Sequence, residues 1–273
     1  MLREPGGVTS ELLRVRSSGP VCSVTMARAD ARNAFNAELI AELHRTFDAL
    51  AADEQVRVVV LSGEGKVFSA GADINWMRAS LDLSEADNVE DARRLSRMYR
   101  AIDSLPKVVI GRIHGAALGG GSGLVAVCDV AIAARGTIFG FTETKLGIMP
   151  AVISPFVLRK IGVSHARALA LTAERFDAER ALAIGLVHEV AGEDQLDAAV
   201  ERVVSEALSA APSGVAATKA LFARVAEMPH DDTLDVTARA IARQRTSADG
   251  QAGLRAFLER RNAPWVPEVR KAP

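Results

Sequence analysis

One junction constrains this chain more than any other. The apolar, β-branched run Lys107–Ile113 passes straight into His114-Gly115-Ala116-Ala117-Leu118-Gly119-Gly120-Gly121-Ser122-Gly123. The run reads as a buried strand. The residues after it have little or no side chain, so another backbone or a ligand can approach closely. Gly120 falls at the start of a helix, where unpaired N–H groups and the helix dipole favour negative charge. The apolar stretch 113–134 is long enough to cross a membrane, but His114, Asp129 and the repeated glycines interrupt it. It reads instead as a tightly packed core segment.

The rest of the chain alternates in the same way. Leu12–Arg16 and Val21–Met26 read as strands around Ser17-Ser18-Gly19-Pro20. Ala37–Ala51 carries Leu39, Ile40, Leu43, Phe47 and Leu50 at helical spacing, and Val56–Leu61 is a second buried strand. A loop to Asp73 precedes a charged helix from about Asp87 to Ser104, and two more strands follow at Val130–Ala133 and Thr137–Phe141. Beyond Pro150 the periodicity is helical in seven segments, 155–161, 164–171, 178–184, 194–208, 213–227, 232–245 and 250–261. The class is therefore α/β with a helical C-terminal part. At 273 residues such a chain can bury roughly 75% of its unfolded surface without a staple. Two cysteines, Cys22 and Cys128, make neither a disulfide framework nor a zinc cluster and fit a reducing cytoplasm. Residues 1–9 carry Arg3, Glu4 and Pro5 where a signal peptide places apolar residues. A net charge of −1 gives no general surface for nucleic acid.

Several phosphate and hydrolase motifs fail. A dinucleotide fingerprint needs glycine where Leu124 stands, and Gly63-Glu64-Gly65-Lys66 lacks the first glycine and the final Ser/Thr of a P-loop. The nucleophile elbow around Ser122 also ends on Leu124. A hydrolase using Ser122, His114 and Asp129, or Ser69, stays open only as a set of suitable residue types.

Three segments hold: Phe68-Ser69-Ala70-Gly71-Ala72-Asp73, Ile113-His114-Gly115-Ala116-Ala117-Leu118-Gly119-Gly120-Gly121, and Phe139-Gly140-Phe141-Thr142-Glu143-Thr144-Lys145-Leu146-Gly147. Two backbone N–H groups from separate loops suit a thioester oxygen that becomes an enolate. Glu143 by itself reads equally as half of a salt bridge with Lys145 or an arginine. Asp73 reads first as a helix N-cap, and His114 and Asp129 as structural groups. The acidic stretch 82–91 is either a lid over a pocket or a solvated helix face.

Together the three segments resemble the crotonase, or enoyl-CoA hydratase/isomerase, superfamily. The likeness runs from Ala31-Arg32-Asn33-Ala34-Phe35-Asn36 through Ala183–Val187 to Phe257–Arg261. It implies a spiral of ββα units with a helical C-terminal trimerisation region, core 1–200 and oligomerisation region 201–273, in a trimer or hexamer. It implies an enoyl-CoA thioester as substrate and no cofactor beyond the coenzyme A that the substrate carries. Neither membrane nor nucleic acid enters as a partner. Ala70 and Gly120 would be the oxyanion donors, with Ala70, Gly71, Ala72 and Asp73 lining the coenzyme A path. Lys66, Arg28 and the pair Arg260/Arg261 are candidates for its phosphates.

Many hydratases of this family use two glutamates. Glu143 matches the second, whereas the first falls on Gly123, so a glutamate restored there is expected to raise hydration. With Glu143 alone, three readings remain. Water adds across the 2,3 double bond of a 2-enoyl thioester; or a 3-enoyl double bond moves into conjugation with Glu143 as the only proton shuttle; or the chain is a non-catalytic coenzyme A-binding scaffold. The text from Thr142 to Phe156 is similar to bacterial hydratases of branched or glutaconyl-type thioesters, which places hydration first.

Overall fold

The computed structural model describes residues 7–267, so the reading of a missing signal peptide lies largely outside the described residues. The elements are β1 (Gly7–Thr9), β2 (Leu13–Ser18), β3 (Val21–Met26), α1 (Ala37–Ala52), β4 (Val58–Gly63), α2 (Ile74–Ser80) and α3 (Glu85–Asp103). There follow β5 (Val108–Ile113), β6 (Ala116–Leu118), α4 (Gly120–Val127), β7 (Val130–Ala134), β8 (Ile138–Gly140) and α5 (Ser154–Thr172). The chain ends with β9 (Arg175–Asp177), α6 (Ala178–Ala183), β10 (Glu189–Ala191), α7 (Leu196–Ser209), α8 (Pro212–Val225), α9 (Thr233–Thr246) and α10 (Ala248–Leu258).

A seven-stranded sheet runs β1-β2-β3-β4-β5-β7-β10, and a three-stranded one runs β6-β8-β9. The β1-β2-β3 meander is antiparallel, and every pair from β3 to β10 in the larger sheet is parallel. Parallel strands are covered on both faces, which accounts for the unbroken burial of β4. Val59 and Leu61 join a core with α1, α3 and α4, while Val58 and Val60 meet Leu196, Ala199, Val200 and Leu208 of α7 on the other face. Asn36 caps α1 by accepting from the Leu39 N–H at 2.9 Å, and the apolar stripe read from the sequence is the buried face.

Most differences from the sequence reading are short elements. β6, β9 and β10 have three residues each and exist through pairing, as in Ala117 opposite Phe139. The two helices expected at 155–161 and 164–171 meet at Gly162, whose φ of 74° breaks the helical path within α5. Residue 200 lies inside α7, so a boundary there divides a helix that covers the sheet. Among the described residues no helix is long and apolar enough to cross a membrane.

Candidate active site

Three loops meet where the two sheets approach. The Ser69 N–H donates to the Ala116 carbonyl at 3.1 Å, and the Leu118 N–H donates to the Ser69 carbonyl at 3.0 Å. The Gly119 N–H donates to the Gly140 carbonyl at 2.8 Å, which ties in the third loop. A fourth segment, 28–36, closes the set. Asn33 is buried and its amide donates to the Glu64 and Val67 carbonyls at 2.8 and 2.9 Å. Between these loops and α3 lies a cavity of about 390 Å³. Phe35, Trp76, Met77, Leu95, Ile148, Met149 and Val152 give it an apolar wall, and Ala72, Gly120 and Glu143 face it as well.

Close approach explains the glycines. A Cβ on Gly71, whose φ is +90°, would lie 2.7 Å from the Leu118 carbonyl oxygen and 3.5 Å from the Gly120 nitrogen. Gly119 has φ +50°, and a Cβ there would lie 3.2 Å from Oε1 of Glu143. A side chain at Gly71 would push the loops apart, and one at Gly119 would be strained by its positive φ and crowd the Glu143 carboxylate.

The expected donor pair needs a correction. The Ala70 N–H is spent on the Arg32 carbonyl at 3.0 Å. The segment pairs alternately with 32–35: the Phe35 N–H donates to Gly71 at 2.7 Å and the Asp73 N–H to Phe35 at 2.8 Å. That alternation leaves the N–H of Ala72 without an acceptor among the described residues. Gly120 is the first residue of α4, so its N–H likewise has no intrahelical partner. The pair that can receive a developing negative charge is therefore Ala72 with Gly120, not Ala70 with Gly120. Sequence spacing alone cannot separate Ala70 from Ala72, because both lie beside Gly71.

Glu143 begins a short 3₁₀ turn, Glu143–Leu146, that ends on Gly147. Its Oε2 is buried and has no hydrogen-bond partner, and no cation pairs with it among the described residues. The salt-bridge reading of this residue fails. Burial pushes its carboxyl above the ordinary carboxylate range, against a smaller opposing pull from its own N–H. An unpaired, desolvated carboxylate facing a cavity is poised to exchange a proton.

Gly123 does not leave a void. A Cβ there would lie 2.3 Å from Cγ2 of Ile153 and 3.1 Å from the Tyr99 hydroxyl. Ile153 thus occupies the space that a second carboxylate would need, and the expected gain from glutamate at this position does not follow.

The remaining candidates have separate tasks. Asp73 caps α2 through the Asn75 N–H at 2.8 Å and pairs with Arg28 at 3.0 Å. Burial pushes its carboxyl up, but the Asn75 N–H and Arg28 outweigh this and hold it below the usual value. Arg28 also donates to the Ala34 carbonyl, so its guanidinium is committed to loop structure rather than free for phosphate. Lys66 is exposed and outside the cavity wall, as are Arg260 and Arg261, the latter paired with Glu259. Ser122 Oγ donates to the Ala117 carbonyl at 2.7 Å, His114 Nε2 faces the Gly65 carbonyl at 2.9 Å, and Asp129 accepts from the Val109 N–H at 2.7 Å. Ser69 Oγ donates to the Asn33 carbonyl at 2.9 Å. No hydrolase triad is assembled. The acidic stretch 82–91 becomes the start of α3, with Asn88 and Asp91 in the cavity wall. The sequence reading missed the wall residues of α2 and α3. The sequence reading assigned no helix at 74–80, and which face of α3 met a cavity was not visible.

A family profile for enoyl-CoA hydratase/isomerase matches residues 16–268. A short-chain-enoyl-CoA hydratase of Clostridium acetobutylicum is 31% identical over 253 residues, 90% of this chain and 94% of that protein. A crotonyl-CoA hydratase of Syntrophomonas wolfei is 32% identical over 241 residues, 88% of this chain and 92% of that protein. The crystal structure of an enoyl-CoA hydratase from Shewanella pealeana superimposes with a TM-score of 0.90 at 40% identity, covering 93% of this chain and 96% of that one.

Proposed function

Because the chain belongs to the enoyl-CoA hydratase/isomerase family, we propose that it adds water across the 2,3 double bond of a 2-enoyl-CoA thioester, with Glu143 as the single acid–base group. The observation that carries this reading is the unpaired carboxylate of Glu143, its Oε2 buried, set beside Gly119 and two unspent N–H groups. The thioester oxygen accepts from the N–H groups of Ala72 and Gly120. Glu143 takes a proton from water as the oxygen of that water bonds to C3. The π electrons move to C2 and the thioester oxygen, giving an enolate. Glu143 then returns the proton to C2, and the carboxylate is restored. Each oxyanion donor contributes about 3–4 kcal/mol to such a step. Product mass tests this directly. Incubation with crotonyl-CoA should yield a species heavier by one water, and an unchanged mass would contradict hydration.

A second reading rests on Ile153. With its side chain filling the place beside Gly123, Glu143 is left as the unpaired carboxylate of the cavity, since Asp91 in its wall pairs with Arg94 at 3.6 Å. One carboxylate suffices to move a proton from C2 to C4 of a 3-enoyl thioester. Conversion of a 3-enoyl to a 2-enoyl thioester faster than hydration would favour this isomerisation.

The raised carboxyl of Glu143 has a pH consequence. The free base must be ionised to accept a proton, so kcat/KM should fall on acidification through a pKa above the ordinary carboxylate range. An acid limb at the value of an exposed glutamate, in a pH–rate profile, would contradict this.

Coenzyme A enters as part of the substrate, with Ala70, Gly71, Ala72 and Asp73, the cap of α2, lining its path and Lys66 and Arg260 left as cations for its phosphates. We place self-association, as a trimer or a pair of trimers, on residues 210–267. Neither α8 nor α9 has a buried residue, while Phe222, Leu234, Phe257 and Leu258 are exposed in the single chain. Light scattering should give a mass of three or six chains. The free, buried Cys22 and Cys128 suit a cytoplasmic setting.

A further inference from the structure

The first turn of α4 must hold an N–H group in place with almost no side chains to hold it. Gly119 before it has positive φ and no side-chain cap, and Gly120, Gly121 and Gly123 follow. Glycine leaves the backbone freer than any other residue. Two side-chain hydroxyls constrain this turn. One belongs to Ser122, which donates to Ala117 on the side of β6. The other belongs to Tyr99 of α3, which donates to the Gly120 carbonyl at 2.7 Å. Tyr99 is fully buried, with Phe35 edge-on at 6.4 Å between ring centroids and Phe156 at 5.9 Å. A Cβ on Gly120 would lie 2.8 Å from the Phe35 ring and 2.9 Å from the Tyr99 hydroxyl, so glycine, ring and hydroxyl form one contact.

We infer that Tyr99 is a positioning residue, its hydroxyl fixing the glycine turn that presents the Gly120 N–H to the substrate oxygen. The inference rests on the function proposed above. Tyr99 is not a substitute for the missing second carboxylate. Its proton is committed to the Gly120 carbonyl, and it does not line the cavity. Burial, and secondarily the charge of Glu143, push its phenol well above the usual value, so it remains a donor across the working pH range. The same helix contributes Asn88, Ala92 and Leu95 to the cavity wall, one face of α3 leading to Tyr99. The wall against an acyl group and the support of the oxyanion donor are thus one rigid element.

Tyr99→Phe removes the hydroxyl and keeps the ring. The test compares two ligands on wild type and variant: acetoacetyl-CoA, whose enolate resembles the charged intermediate, and butyryl-CoA, which is neutral and saturated. Loss of one buried hydrogen bond predicts about a tenfold weaker affinity for acetoacetyl-CoA and about a tenfold lower kcat. Butyryl-CoA affinity and KM should change less than about twofold, because ground-state binding leans little on the oxyanion donors. Unchanged kcat and unchanged acetoacetyl-CoA binding would overturn the inference. So would an equal loss for both ligands, which is what general loosening of the fold produces. If wild type turns over neither a 2-enoyl nor a 3-enoyl thioester, the proposed function fails, while the split between the two ligands still decides the role of Tyr99.

Discussion

Glu143→Gln is expected to lower kcat by about 10³-fold, near the middle of the range for a positioned acid–base group. The amide keeps the shape of the side chain and cannot accept the proton from water. Affinity for butyryl-CoA should stay within about twofold, since the contacts of Gly71, Ala72 and Gly120 are untouched. The same substitution should stabilise the fold at neutral pH. Burial raises the carboxyl pKa in the folded state above its unfolded value. The folded protein therefore binds that proton more tightly, and the contribution of Glu143 to stability declines as pH rises from the unfolded pKa through the raised one. Glutamine does not titrate and escapes this loss. Steady-state kinetics with a thermal melt checks both halves. A variant with undiminished turnover would show that another group is the base.

Gly123→Glu is expected to damage the protein rather than improve it. The first side-chain carbon alone would lie 2.3 Å from Cγ2 of Ile153, and the carboxylate would enter apolar core packing. Overpacking and an unpaired buried charge together should cost about 3 kcal/mol or more. Adding Ile153→Gly removes the obstruction at a position where glycine is acceptable, because Ile153 is the N-cap residue of α5. The double variant should hydrate crotonyl-CoA faster than the single one while staying less stable than wild type, because it loses the buried Ile153 side chain and keeps the new carboxylate. Chemical denaturation of both variants decides the matter. A single variant as stable as wild type, with faster hydration, would show that the Ile153 side chain is not the obstacle.

Much of this was legible in the sequence, for identifiable reasons. The strand at β5 running into glycine announces close backbone approach, and residues 119–123 form the site's helix turn. The stripe of Leu39, Leu43 and Phe47 gave α1 its buried face because burial and period coincide. Glu143 was found through the family resemblance that Phe139–Gly147 carries, and its lack of a partner was not. Three features needed coordinates. Ala72 rather than Ala70 keeps a free N–H because of alternate pairing with residues 32–35, a register no local pattern encodes. Ile153 meets Gly123 across 30 positions of chain, and Tyr99 reaches Gly120 from another helix. Arg28 looked like a free cation until its pairing with Asp73 gave it a loop to hold.

The most direct test follows the absorbance of the conjugated thioester after adding the purified protein to crotonyl-CoA, with a 3-enoyl-CoA in a parallel cuvette. The account predicts a fall with the 2-enoyl substrate that disappears in Glu143→Gln. A flat trace with crotonyl-CoA, together with a rise from the 3-enoyl substrate, would contradict hydration and assign Glu143 to moving the double bond.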